Sequence, residues 1–218
     1  MPLESFAALA ARPAPPLDEL SLAMAAEFDE IDAGAALDRL DRLGQEIAGV
    51  ADIGDDPEAE VESVRTVLGR RHAFVGDSDD YDHPDNSMLD RVLVRRRGLP
   101  ILLSVVYLEA ARRAGIELAG VGLPGHFVVG HFGRTPPLLV DPFAGGTRLD
   151  VRGSADVAPW TAHQTALRML NNLVGSYQRR HDLSRAIRAA ELRLKLPLEE
   201  RDAATFGAEL QSIRAILN

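Results

Sequence analysis

The chain of 218 residues contains no cysteine. That absence excludes disulfides, thiolate metal sites and thiol nucleophiles together. No stretch approaches the roughly 18 uninterrupted apolar residues of a membrane span. The opening M-P-L-E-S-F lacks the basic region of a secretory signal, so a soluble, cytoplasmic protein is expected. Basic residues are also short: the net charge is -9, and neither nucleic acid nor membrane is expected as a partner. The one basic run, Arg95-Arg96-Arg97, falls at the end of a predicted helix, where cations suit the dipole. An anion or partner site is the other reading of that run.

Hydrophobic residues make up 46% of the chain, enough for a real core without staples. Apolar spacing predicts helices over 17–28, 35–50 (with Asp32 as its cap) and 58–74. The segment G-D-S-D-D-Y-D-H-P-D-N that follows is turn chemistry. It lacks the glycine turn and distal glutamate of a calcium loop, so it reads as a solvated loop. Asn86 or Ser87 is placed to cap a helix over 88–97, with Gly98 as its left-handed C-cap. Pro100 suits the first position of the next helix, whose start, P-I-L-L-S-V-V-Y, is apolar on nearly every side. Such a helix belongs in the middle of a domain.

After Gly115 the period changes. Short strands are predicted over 116–121, 126–132 and 137–141, with an edge strand over 148–151. Helices return over 162–179, 183–194 and 198–217. Helices first and antiparallel strands after them define an α+β class. The expected division is a domain over 1–158, with its core at about 86–152, and a helical tail over 159–218, whose first two helices resemble a tetratricopeptide unit.

His126 and Asp141 carry the chemical interest, because they fall on neighbouring predicted strands. In a nucleophile–His–Asp system the carboxylate orients the imidazole, and the imidazole activates the nucleophile. The nucleophile belongs at a helix N-terminus, where free N–H groups stabilise developing negative charge. The Pro100 helix offers that terminus. Ser104 is the nearest side-chain nucleophile, one turn inside the helix, where a serine commonly bonds a carbonyl one turn back. Gly125 allows a tight turn into the His126 strand, or else leaves room for a ligand. His126 and His131 are five apart and face opposite sides of a regular strand, so no metal site is expected, and no cofactor.

Four stretches together resemble the transglutaminase-like SirB family: D-N-S-M-L-D-R, R-R-G-L-P-I-L-L-S, L-P-G-H-F and V-D-P-F-A-G-G. The resemblance covers about 17–150 and continues weakly into the tail. It implies a papain/transglutaminase-like core with a buried central helix against a small antiparallel sheet. In active transglutaminase-type enzymes a cysteine opens that helix. Counting back from the glycine matching Gly115 brings its position to Pro100, or to Ile101 if the register slips by one. Neither is a nucleophile. The expectation is a pseudoenzyme: a binding or adaptor protein that keeps a pocket around His126 and Asp141, lined by Asn86, Pro100, Ile101, Gly125 and Phe127. Its partner would be a protein or a small ligand. The rival expectation is a serine-dependent hydrolase or acyl transferase using Ser104, His126 and Asp141. A third is that His126 and Asp141 form a plain structural pair.

Overall fold

The computed structural model describes residues 3–50, 56–149 and 157–217. The chain opens with helices α1 (Phe6–Ala10), α2 (Leu17–Ala26) and α3 (Ala33–Val50). Asp32 caps α3, its carboxylate accepting the Ala35 N–H at 2.9 Å. Helix α4 (Pro57–Val64) carries proline in its first turn, behind an Asp56 side chain that accepts the Glu58 N–H. It runs on through Arg65–Arg71 as a wider π-type turn, in which the His72 N–H reaches back to the Val67 carbonyl at 2.9 Å.

Helix α5 (Leu89–Arg95) is shorter than its apolar spacing predicts. Its left-handed C-cap is Arg96, at φ 58°, and not Gly98. Gly98 lies instead in β2 (Arg97–Gly98), paired in parallel with β1 (Val75–Gly76). A Cβ on Gly98 would stand 2.6 Å from Val92 Cγ2. The glycine there lets the strand lie directly on the helix it follows.

Pro100 opens α6 (Pro100–Arg113), as its fixed φ and missing N–H predispose it to do. From Pro100 to Ala111 every residue but Leu108 is buried. Helix α3 crosses α6 closely because Gly44 has no side chain: an added Cβ would lie 2.4 Å from Arg113 Cβ. At its end α6 closes on itself, the Ile116 N–H bonding the Ala111 carbonyl at 2.9 Å. The first strand therefore starts later than predicted.

The main sheet is antiparallel, in the order β3 (Ala119–Leu123), β4 (His126–His131), β5 (Leu138–Asp141) and β6 (Thr147–Leu149). Residues 150 and 151 of the predicted edge strand lie outside the described residues. One face of the sheet, with Phe127, Val129 and Val140, joins the core that α6 runs through. The other face, with Val121, Val128 and Leu139, forms a small separate cluster. This alternation is the pleat expressed as burial.

Helices α7 (Ala162–Arg179), α8 (Leu183–Arg193) and α9 (Glu200–Leu217) complete the chain. Thr161 and Gln164 form a reciprocal capping box at the start of α7. Arg180, His181 and Asp182 make the turn into α8, with His181 at φ 59°. Met169, Leu170 and Leu173 share one continuous core with Phe6, Leu22 and Ile101, so the tail packs onto the α+β body. Arg193 ties the last three helices together: it is buried, bonds Asn171 of α7 and Glu209 of α9, and lies 4.6 Å over the Phe206 ring. No helix among the described residues is long and apolar enough to cross a membrane.

Candidate functional site

Leu123, Pro124, Gly125 and His126 make the two-residue turn between β3 and β4, and Leu123 pairs directly with His126. Pro124 and Gly125, the latter at φ +70°, are the residues a type II turn requires at its centre. The turn fixes the register, and the register fixes the site. Val129 faces Val140, so one step further Val128 faces Asp141. Asp141 is then the diagonal neighbour of His126 on the same face, within reach of a long side chain. His126 Nε2 and Asp141 Oδ2 are 2.9 Å apart. The second carboxylate oxygen accepts the Phe143 N–H at 2.9 Å, which holds the group in place. With Nε2 turned to Asp141, Nδ1 is the nitrogen left for anything that approaches.

The imidazole is 30% exposed at its side chain, so the pair is open to solvent on one side. Phe143 stands edge-on to it, 6.2 Å between ring centres at 87°. Tyr81, an exposed aromatic of the aspartate-rich loop, stands edge-on to Phe143 in turn at 5.9 Å. Sequence reading missed Tyr81 altogether and assigned Phe143 no place in the site. No local pattern ties the loop at 77–85 to a strand end some sixty residues later.

That loop is not simply solvated, which corrects the sequence expectation. Asp77 is buried and takes Arg95 at 2.8 Å. Arg97 holds Asp79 at 3.0 Å, Arg180 holds Asp80 at 2.6 Å and Arg179 holds Asp82. Burial alone would push the Asp77 carboxyl up. The Asp80 N–H, the Asn86 amide and the Arg95 guanidinium outweigh it and hold the group below its ordinary range. The loop is thus clasped from α5 and β2 on one side and from α7 on the other.

Asn86 belongs to this clasp and does not cap α5. Its side chain is fully buried. Its Nδ2 donates to the Asp80 carbonyl at 2.7 Å and its Oδ1 accepts from Arg95 at 2.9 Å. Its own carbonyl takes the Leu99 N–H at 3.0 Å, one residue before α6 begins. Asn86 therefore ties the loop to the start of the central helix.

The remaining predicted site residues are distributed as follows. Pro100 and Ile101 are buried at the helix start. Ser104 is completely buried, and its hydroxyl donates to the Pro100 carbonyl at 2.8 Å. Gly125 is exposed, with nothing within 4 Å of where a Cβ would be. Phe127 points to the opposite face of β4 from His126 and stacks edge-on against Trp160 at 5.3 Å. It is a core residue under the sheet and is not brought to the dyad. Among the described residues no group of three or more His, Cys, Asp or Glu side chains is arranged to hold a metal.

Gly76 decides where Phe143 can stand. A Cβ at this position would fall 2.3 Å from the Phe143 ring. Gly76→Ala is expected to displace the ring and to cost about 1–2 kcal/mol. The His126 ring protons should shift in NMR spectra as their aromatic neighbour moves; unchanged shifts would refute this packing.

A buried helix start and a His–Asp pair on adjacent antiparallel strands define a papain-like core of the transglutaminase type. The family model of the transglutaminase-like superfamily matches residues 34–188, and the chain belongs to that superfamily. It is 37% identical over 157 residues to a UPF0162 protein of Xylella fastidiosa, covering 62% of this chain and 54% of that one. A UPF0162 protein of Pseudomonas aeruginosa is 35% identical over 136 residues, 60% of this chain and 48% of its own length. Human F-box only protein 21 is 33% identical over 100 residues, 42% of this chain and 16% of its length. The chain spans about half the length of the UPF0162 proteins it matches. No solved structure matches it significantly.

Proposed function

We propose that this is a transglutaminase-like domain of the SirB kind that binds a protein or small ligand at the His126/Asp141 pair and performs no covalent chemistry there. The observation that carries the reading is the occupancy of the helix start. By the resemblance, the position where the enzymes of the superfamily place a thiol falls on Pro100 or Ile101, and the chain has no cysteine anywhere. Ser104 is a poor substitute. It lies a turn deeper, without solvent access, and its hydroxyl proton is committed to the Pro100 carbonyl. A nucleophile must instead share its proton with the base.

What remains is a binding surface. It offers a carboxylate-oriented imidazole with a free Nδ1, an exposed Tyr81 and a half-buried Phe143. The match to a stretch making up 16% of F-box only protein 21 favours a module that can serve inside larger proteins.

A serine-directed fluorophosphonate distinguishes this reading from serine hydrolysis. Intact-mass measurement is expected to find the chain unmodified after prolonged exposure. An adduct on the wild type that disappears in Ser104→Ala would establish the hydrolase or acyl transferase instead.

A further inference from the structure

A groove at the C-terminal end of α6 lies apart from the dyad. Its larger part, about 600 Å3, is walled by Leu108, Ile116, Leu118, Phe132 and the Trp160 ring. Its smaller part, about 410 Å3, is lined by Glu60, His131 and Gly133. Gly115, Glu117 and Phe132 line both parts, so they form one groove with an apolar arm and a polar arm. The apolar arm has the size of a small-molecule site. None of the residues lining either arm belongs to the His126/Asp141 site.

The charge of the polar arm is negative. His131 Nδ1 accepts the Gly133 N–H at 3.1 Å, so its proton sits on Nε2, which donates to Glu60 at 2.6 Å. Glu117, at the junction of the arms, is exposed and makes no ion pair among the described residues. The nearby cations are already engaged: Arg112 by Glu109 at 2.8 Å and Asp18 at 3.4 Å, and Arg134 by Glu58 at 2.7 Å. Helix α6 ends here, so the negative end of its dipole adds to the carboxylates. At the opposite wall the positive start of α4 is offset by Asp56, Glu58 and Glu60.

We infer that this groove is a binding site for an amphipathic amine. Its apolar body lies against Trp160, Leu108 and Phe132, and its ammonium pairs with Glu117 at the junction of the arms, with Glu60 adding to the negative field. A neutral body of the same shape would fill the apolar arm and leave Glu117 unpaired. An anion would meet two carboxylates.

Trp160 is the only tryptophan of the chain, so its emission reports occupancy directly. The test titrates the full chain with hexylamine, hexanol and hexanoate, which share one body and do not absorb where tryptophan does. Hexylamine is expected to give a saturable change at an affinity about fivefold tighter than hexanol, the worth of one partly exposed ion pair. Hexanoate should bind weakest. Glu117→Gln should abolish the amine's advantage and leave hexanol unchanged; Glu117 is exposed and unpaired, so this variant keeps the fold. No saturable response, equal affinity for amine and alcohol, or an amine preference that survives Glu117→Gln would each overturn the inference.

Discussion

Arg113→Met is expected to cost about 3 kcal/mol, and so to lower the melting temperature by roughly 6–12 °C in a chain of this size. Arg113 is the cation on which three helices converge. Its Nη2 meets Asp18 of α2 at 2.7 Å, its Nη1 meets Glu109 of α6 at 3.0 Å and its Nε meets Asp41 of α3 at 2.5 Å. Asp18 and Glu109 are only 4% and 6% exposed at their side chains. Methionine fills the volume but leaves both carboxylates in a poor dielectric, and breaking a buried pair from one side is the costly way to break it. Arg112 reaches the same two groups but is 60% exposed, so its compensation is screened.

The loss also has a pH signature. Burial, and then the charge of Asp18, pushes the Glu109 carboxyl above its ordinary 4.5, against the pull of both arginines. A carboxyl raised in the folded state takes up a proton on folding. The stability it contributes is complete below 4.5 and is lost as the pH rises through the folded value. Without Arg113 the carboxyl rises further. The deficit of the variant should therefore be largest at neutral pH and shrink toward pH 4.5. Urea midpoints at the two pH values, at unchanged m, measure it. Equal deficits at both would show that Arg113 works through packing alone.

The parts of this architecture legible in the sequence were those whose signals are local. Pro100 announced a helix start through its own φ, and P-I-L-L-S-V-V-Y announced burial because no face was polar. The L-P-G-H turn carried its geometry in two residues, and the strand alternation behind it brought His126 and Asp141 to one face. Readings failed where a local signal was outbid at long range. Asn86 has the chemistry of a cap, but the loop folds back so that the carbonyls of Asp80 and Tyr81 meet its amide first. Gly98 has the freedom of a C-cap, but close contact with Val92 is what requires it, and Arg96 takes the left-handed turn. The arginines at 95 and 97 read as dipole partners, yet they answer aspartates 18 residues earlier in the chain. Phe127 stood next to His126 in sequence and for that reason faces away from it in the sheet.

We propose, as the central claim, that the start of α6 and the His126/Asp141 pair derive from one thiol site whose sulfur this chain lacks. Pro100→Cys restores that atom. Because the chain has no other cysteine, ultraviolet thiolate absorbance against pH reports this thiol alone. A helix N-terminus and an adjacent imidazolium both stabilise a thiolate. The account predicts titration at least about one unit below the ordinary ~8.5, returning toward ~8.5 when His126→Ala is added. A thiol that titrates at or above the ordinary value and ignores His126 would contradict it.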